Sequence, residues 1–129
     1  MAFYIIAVGS NIEPEKHIKQ AFMSLKELDN NICMASLLQT TAVGFTEQAD
    51  FINTAFSLTT TLDEHSLKRY LKTLELKLGR VKTANKNGPR TIDLDIVQVN
   101  HIIVDNDYYR YDFVKQSVDE LTLNTGHLS

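Results

Sequence analysis

The sequence is short of cysteine, of long apolar runs and of an excess of either charge. Cys33 is the only cysteine among 129 residues, so the chain cannot form an internal disulfide bond, and we expect a cytoplasmic protein. No apolar run approaches the roughly 18 residues that cross a bilayer. The formal net charge of −3 provides no general attraction to nucleic acids or acidic membranes. We therefore expect neither of these as a partner.

Several common catalytic signatures are also missing from the sequence. It contains no Walker-type glycine loop and no recognisable Ser-His-Asp arrangement. The four histidines do not have the spacing of metal ligands, and we expect all of them on the surface. They are His17, His65, His101 and His127.

Hydrophobic periodicity predicts a β-α-β-β-α-β order of elements in one domain over residues 1–129. This order is typical of an α+β, ferredoxin-like fold, in which an antiparallel sheet carries two helices on one face. After residue 100 the pattern predicts only a short helix over 114–121 and a loose tail over 122–129. The predicted strands cover 3–8, 32–41, 51–60 and 91–99, and the predicted helices cover 14–28 and 63–78.

The most specific segment of the chain is Gly88–Ile96, which reads GPRTIDLDI. Its tail is rich in β-branched residues and follows a Gly-Pro breaker, so it predicts a strand. Alternate side chains of a strand share a face, which places Asp93 and Asp95 together, roughly 7 Å apart, with apolar neighbours facing the core. Carboxylates so placed can hold hard cations such as Mg²⁺. The alternative is a solvated polar face.

A basic segment precedes this acidic strand. Arg80, Lys82, Lys86 and Arg90 occupy a stretch without acidic residues in an otherwise acidic chain. Cations beside carboxylates suit a magnesium–triphosphate, because its anions need cations and its metal needs anions. The pattern therefore favours metal-assisted phosphoryl chemistry over the alternative of a solvated connection.

Two residues of the third predicted strand add a possible recognition surface. Phe51 and Asn53 alternate onto the same face as the aspartates. An aromatic ring and an amide beside two carboxylates could bind a planar heterocycle. Glu75 lies on the second predicted helix among its leucines, where the simplest interpretation is a surface charge.

These residues resemble the 6-hydroxymethyl-7,8-dihydropterin pyrophosphokinase family of folate biosynthesis. The resemblance runs from Tyr4 to about Gln98. The matching motifs are Ala7–Asn11, Val43-Gly44, Asp50–Asn53, Glu75, Leu78–Val81 and Gly88–Asp95.

The resemblance implies an ATP-dependent pyrophosphokinase. It would transfer the terminal pyrophosphate of ATP to the hydroxymethyl group of the pterin and release AMP. Two Mg²⁺ ions would serve as cofactors at Asp93 and Asp95. The same resemblance implies that Arg80, Arg90 and both aspartates are catalytic.

Further positions follow from the resemblance alone. The pterin would be bound by Thr40, Val43, Phe51, Asn53 and Phe113. ATP would be bound by Glu75, Arg80, Lys82, Arg90 and Ile96, with the loop after Arg80 closing over the phosphates.

The sequence also departs from the family pattern. Lys82 stands where a second loop arginine is usual, which keeps the charge but loses the bidentate fork. Asn87 replaces a common tryptophan, and Thr41-Ala42 replaces a proline-rich turn. The usual Pro-His segment after the aspartate strand is absent, which suggests a truncated C-terminal region. The alternative function is therefore a catalytically weak paralogue that binds a pterin or a nucleotide. An RNA-binding module is disfavoured because Asp93 and Asp95 would repel RNA.

Overall fold

The structure is a computed structural model that describes residues 1–41, 50–79 and 91–124. These residues form six strands and four helices. The strands are β1 (Ala2–Ser10), β2 (Cys33–Met34), β3 (Leu38–Thr40), β4 (Phe51–Thr60), β5 (Asp93–Val99) and β6 (Ile102–Ile103). The helices are α1 (Pro14–Leu25), α2 (Glu64–Lys77), α3 (Asp107–Arg110) and α4 (Asp112–Asn124).

The strands form one antiparallel sheet with β1 at its centre. The order is β2-β4-β1-β5-β6, and β3 also pairs with β4. The predicted order of elements is thus confirmed. A continuous second strand over 32–41 was wrong, because this segment forms two short strands, β2 and β3. Between them, Ser36 turns toward α4, where its N–H and hydroxyl both donate to Glu120 Oε2 at 2.9 and 3.1 Å.

Helices α1 and α2 pack on the same face of the sheet, as predicted. Pro14 begins α1, where its missing N–H costs nothing. Asp63 precedes α2 and accepts a hydrogen bond from the Ser66 N–H at 2.8 Å, which caps the helix. Both helices contribute a buried apolar stripe to one core with β1, β4 and β5. Its members are Tyr4, Ile6, Val8, Ile18, Ala21, Leu25, Ile32, Phe56, Leu58, Leu67, Leu71, Leu74, Ile92 and Leu94.

Helix α4 covers much of the opposite face. Its side chains Val114, Val118 and Leu121 pack with Ile5, Ala55 and Val97 in a second core. The predicted helix over 114–121 is therefore present, but it is longer and includes residues 122–124, which the sequence assigned to a loose tail; residues 125–129 lie outside the described residues. The sequence predicted helices on one face of the sheet only, and α4 corrects that expectation. Three strands, β1, β4 and β5, each contribute apolar side chains to this face. Burying apolar surface is favourable by about 25 cal/mol per Å², which explains why a helix covers it.

Two further observations complete the fold. No helix in the part of the chain that the structure describes is long and apolar enough to cross a membrane.

His17 is buried rather than exposed, which corrects the prediction for this histidine. It lies one turn before Ala21 on the sheet-facing side of α1, and its Nδ1 is 2.6 Å from the Ile12 carbonyl oxygen.

Candidate active site

A cavity lies where α4 leaves the second face of the sheet uncovered. Because the strands are antiparallel, the end of β1 meets the beginnings of β4 and β5. This arrangement brings together residues that are far apart in the sequence. The cavity is lined by Ala7, Val8, Gly9, Thr40, Thr41, Phe51, Asn53, Thr54, Asp93, Asp95, Asp107, Tyr111, Phe113 and Val114.

The strand register places the polar side chains around Gly9. Gly9 pairs with Asn53 on one side and with Asp93 on the other. Since neighbouring strands are about 4.8 Å apart, the amide and the carboxylate start from backbones roughly 10 Å apart. A Cβ on Gly9 would lie 3.0 Å from Asn53 Oδ1 and 3.8 Å from the Phe51 ring. The absent side chain therefore provides the space that the amide occupies.

A hydrogen bond to Thr40 fixes the side-chain amide of Asn53. The residue is buried, and its Nδ2 donates to Thr40 Oγ1 at 2.6 Å. Thr40 lies on β3, where it pairs with Phe51. Two of the predicted pterin-binding residues thus contact each other directly, which limits the orientations open to the amide.

Asp93 and Asp95 share one face of β5, as the alternation predicted. Both line the cavity, and both are partly exposed.

Asp107 of α3 lines the same cavity and was not among the site residues predicted from the sequence. Burial, followed by the charge of Asp105, raises the pKa of Asp107, and Asp95 and Asp93 add to the effect against the opposing charge of Arg110. In the described ranges, no group of three or more His, Cys, Asp or Glu side chains is arranged to hold a metal ion.

A network of hydrogen bonds and ion pairs connects α2 to Leu94 and Asp95 of β5. Glu75 is buried, so its interpretation as a surface charge was wrong. Its Oε2 accepts from the Leu94 N–H at 2.7 Å and from Lys72 Nζ at 3.1 Å. Lys72 Nζ also donates to the Leu94 carbonyl oxygen at 2.9 Å and to Asp95 Oδ1 at 3.0 Å. Burial disfavours the charged form of Lys72, but Asp95 and Glu75 outweigh burial and raise the pKa of Lys72.

A second cavity lies on the other side of Asp95. It is bounded by α2 and the outer edge of β5, and it includes Ile96, a predicted ATP-binding residue. Asp95 lines both cavities. The second cavity is lined by Glu64, Lys68, Leu71, Lys72, Leu94, Asp95, Ile96, Val104 and Asp105.

Aromatic side chains from the region of α3 and α4 form one wall of the first cavity. Phe113, a predicted pterin-binding residue, lines the cavity. Tyr111 stacks on it, with ring centroids 5.4 Å apart and planes at 24°. Tyr111 was missed in the sequence, although it belongs to the aromatic-rich run Tyr108–Phe113. The stacked pair gives the cavity a flat apolar surface.

Comparison with known proteins identifies the family of the chain. A family model described as 7,8-dihydro-6-hydroxymethylpterin-pyrophosphokinase (HPPK) matches residues 5–123. The chain belongs to the HPPK family. The match covers nearly all of the structure described above, including α4.

Relatives within and beyond bacteria support the assignment. The chain is 38% identical over 96 residues to the 2-amino-4-hydroxy-6-hydroxymethyldihydropteridine pyrophosphokinase of Campylobacter jejuni, covering 72% of the chain and 60% of the relative. It is 36% identical over 98 residues to the Bacillus subtilis protein of the same name, covering 74% and 58%. A match at 29% identity to the folic acid synthesis protein FOL1 of Dictyostelium discoideum covers 95% of the chain and 20% of the relative. The chain thus spans at most about three fifths of each of these relatives.

Most of the site residues that the HPPK resemblance implies are among the described residues. Thr40, Phe51, Asn53, Asp93, Asp95 and Phe113 line the first cavity, and Ile96 lines the second. Glu75 lies beneath β5, where it contacts Leu94 rather than a cavity wall. Val43, Arg80, Lys82 and Arg90 lie outside the described residues.

Proposed function

We propose that this HPPK-family chain transfers pyrophosphate from ATP to 6-hydroxymethyl-7,8-dihydropterin, giving AMP and the pterin diphosphate. The observation that carries the proposal is that one cavity is lined both by aromatic and amide side chains and by two carboxylates. These residues are Phe51, Asn53, Phe113, Asp93 and Asp95. Apolar rings and an amide suit a planar heterocycle, while paired carboxylates suit the metal of a nucleotide. We further propose that residues 1–129 act as one domain.

The pterin would enter between the aromatic side chains of the first cavity. Phe51 and Phe113 offer ring faces, and Asn53 offers both donor and acceptor atoms to the heterocycle edge. The bond from Asn53 to Thr40 fixes the amide before the ligand arrives. Such preorganisation reduces the entropy that binding must overcome.

Asp93 and Asp95 fit a magnesium centre by the chemistry of their donors. Both supply carboxylate oxygens, which Mg²⁺ prefers, and both line the cavity from one strand face. We propose that they hold two Mg²⁺ ions. When bound, the ions would offset phosphate charge and polarise the attacking hydroxyl.

ATP would lie across Asp95 in the second cavity. Ile96 offers an apolar contact there, and Lys68 and Lys72 offer positive charge. The expected contributions of Arg80, Lys82 and Arg90 are further cations for the phosphates. Because Asp95 borders both cavities, it lies where the pterin hydroxyl and the nucleotide phosphates would meet. Positioning and electrostatics would then supply most of the reduction in the barrier.

Formation of AMP from ATP and 6-hydroxymethyl-7,8-dihydropterin tests the proposal. Chromatography should show AMP and pterin diphosphate in equal amounts, and a Mg²⁺ titration should show that turnover requires the metal. Release of ADP instead would indicate transfer of a single phosphate and contradict the proposed reaction. The absence of both products would contradict it as well.

The second candidate is a paralogue that binds pterin or nucleotide without useful catalysis. Asn87 and the missing Pro-His segment favour this alternative. Calorimetry with each ligand distinguishes it, because the paralogue would bind ATP or pterin and produce no AMP.

A further inference from the structure

Lys72 occupies an unusual position at the outer edge of β5. Strand β6 pairs with β5 through Gln98 and Val99, so the beginning of β5 has no neighbouring strand on that side among the described residues. Side chains of α2 replace the missing strand there. Lys72 Nζ donates to the Leu94 carbonyl oxygen, and Glu75 Oε2 accepts from the Leu94 N–H.

The same lysine also contacts Asp95, one of the two aspartates of β5. Its Nζ lies 3.0 Å from Asp95 Oδ1 and 3.1 Å from Glu75 Oε2. The Lys72 side chain is 40% exposed and that of Glu75 only 4%. A buried carboxylate on one side and backbone on the other therefore hold the ammonium group against Asp95. The position results from three contacts and not from a single flexible ion pair.

This contact places the ammonium group of Lys72 on a carboxylate oxygen that would otherwise be available to a metal ion. Asp93, Asp95 and Asp107 line one cavity, and the charges of Asp95 and Asp93 act on Asp107. Such like charges repel one another, and a nearby cation relieves the repulsion. An ammonium group and Mg²⁺ both bind carboxylate oxygen, and both are positively charged. Each should therefore weaken the binding of the other at Asp95.

We propose that Lys72 is the resident counter-ion of Asp95 and that Mg²⁺ must displace it from this carboxylate. Lys72 then acts as a positioning residue that sets the affinity of the site for the free metal. The inference rests on the proposed function only in taking Asp93 and Asp95 as the magnesium ligands.

Calorimetric titration of the nucleotide-free protein with MgCl₂ tests this inference. Lys72→Gln removes the charge but keeps a donor for the Leu94 carbonyl, and it should lower the Mg²⁺ dissociation constant on the order of tenfold. Lys72→Arg keeps the charge and should remain within about twofold of the parent protein. Lys77→Gln is the control, because Lys77 lies on the same helix but in the groove facing α1. It should leave Mg²⁺ binding unchanged.

A double variant tests whether the gain in Mg²⁺ affinity acts through Asp95. Lys72→Gln combined with Asp95→Asn should lose the gain in affinity, because the released ligand is no longer charged. Retention of the gain in the double variant would overturn the inference.

Thermal unfolding separates this role from a purely structural one. If Lys72 only stabilises the fold, Lys72→Gln will lower Tm equally in EDTA and in MgCl₂, with an unchanged Mg²⁺ dissociation constant. That result, or Mg²⁺ binding to neither protein, overturns the inference. The AMP assay reports separately on the proposed function. A chain that makes no AMP but binds Mg²⁺ more tightly after Lys72→Gln would lose the proposed function and retain this inference.

Discussion

Gly9 and Asn53 pair across β1 and β4, and the missing side chain of the glycine leaves the space that the asparagine amide occupies. The Cβ of an alanine at position 9 would lie 3.0 Å from Asn53 Oδ1, closer than side-chain atoms normally approach. Gly9→Ala should therefore displace the amide and weaken pterin binding by about 1–2 kcal/mol, because a ligand hydrogen bond is lost. Calorimetry with the pterin measures this change.

Gly79 provides the matched control for that substitution. Its backbone has a φ of 101° directly after the cap of α2, which is unfavourable for any other residue. Gly79→Ala should cost about 1 kcal/mol of stability and leave pterin affinity unchanged. Equal pterin affinities for Gly9→Ala and the parent protein would show that the amide does not contact the ligand.

Asn53→Ala tests the amide itself. The substitution removes the amide oxygen and the donor to Thr40, so pterin affinity should fall by about 1–3 kcal/mol. Thr40→Val removes only the partner of the amide and should cost less than half as much. Unchanged affinity in Asn53→Ala would place the pterin elsewhere.

The two aspartates of β5 should be needed for turnover and not for folding. Both point away from the apolar core, so Asp93→Asn with Asp95→Asn replaces carboxylates by isosteric amides at partly exposed positions. Mg²⁺ prefers charged oxygen, and AMP formation should therefore be abolished. Circular dichroism should show an intact fold. AMP production near the parent rate would exclude a metal site at this pair.

Glu75 should contribute more to the free energy of unfolding than an exposed residue of the same helix. Glu75→Ala leaves the Leu94 N–H and Lys72 without the carboxylate that they share, and it should lower the free energy of unfolding by about 2–3 kcal/mol. The exposed neighbour Thr73 is the control, since Thr73→Ala should change stability by less than about 0.5 kcal/mol. Chemical denaturation compares the two. Similar small effects for both would mean that the Glu75 contacts do not contribute.

The Asp119 contacts that link α4 to α3 predict a pH dependence of stability. Burial of Asp119 favours its neutral form, but hydrogen bonds from Lys115 and Tyr108 outweigh burial and lower the pKa of the carboxyl. The folded state thus binds the proton less readily than the unfolded state. This contribution is present above the unfolded pKa of about 4 and is lost as pH falls through the lower folded pKa.

Asp119→Asn should therefore cost up to about 1 kcal/mol at pH 7, as expected for a partly exposed pair. The difference from the parent protein should shrink steadily below about pH 4. Denaturant unfolding at pH 7, 4 and 3 measures it. A constant difference across this range would assign the effect to shape and not to charge.

Local pattern was sufficient for the main elements of the fold. The helix-period leucines of α2 and the two-residue alternation of β5 depend only on near neighbours in the sequence. For this reason the common face of Asp93 and Asp95 could be predicted, as could the packing of α1 and α2 on one face. The division of residues 32–41 into β2 and β3 could not be predicted, since the residues between them contact a distant helix, where the Ser36 N–H donates to Glu120.

Local sequence pattern defines which residues share a face of a strand or helix, whereas long-range packing defines which faces come into contact. The pairing of Gly9 with both Asn53 and Asp93 is a matter of register between distant strands. The covering of the second face by α4, and the contact of Lys72 with Asp95, likewise join residues far apart in the chain. Such contacts form only when the free energy of packing the whole domain outweighs the entropy of closing long loops, so no local pattern contains them.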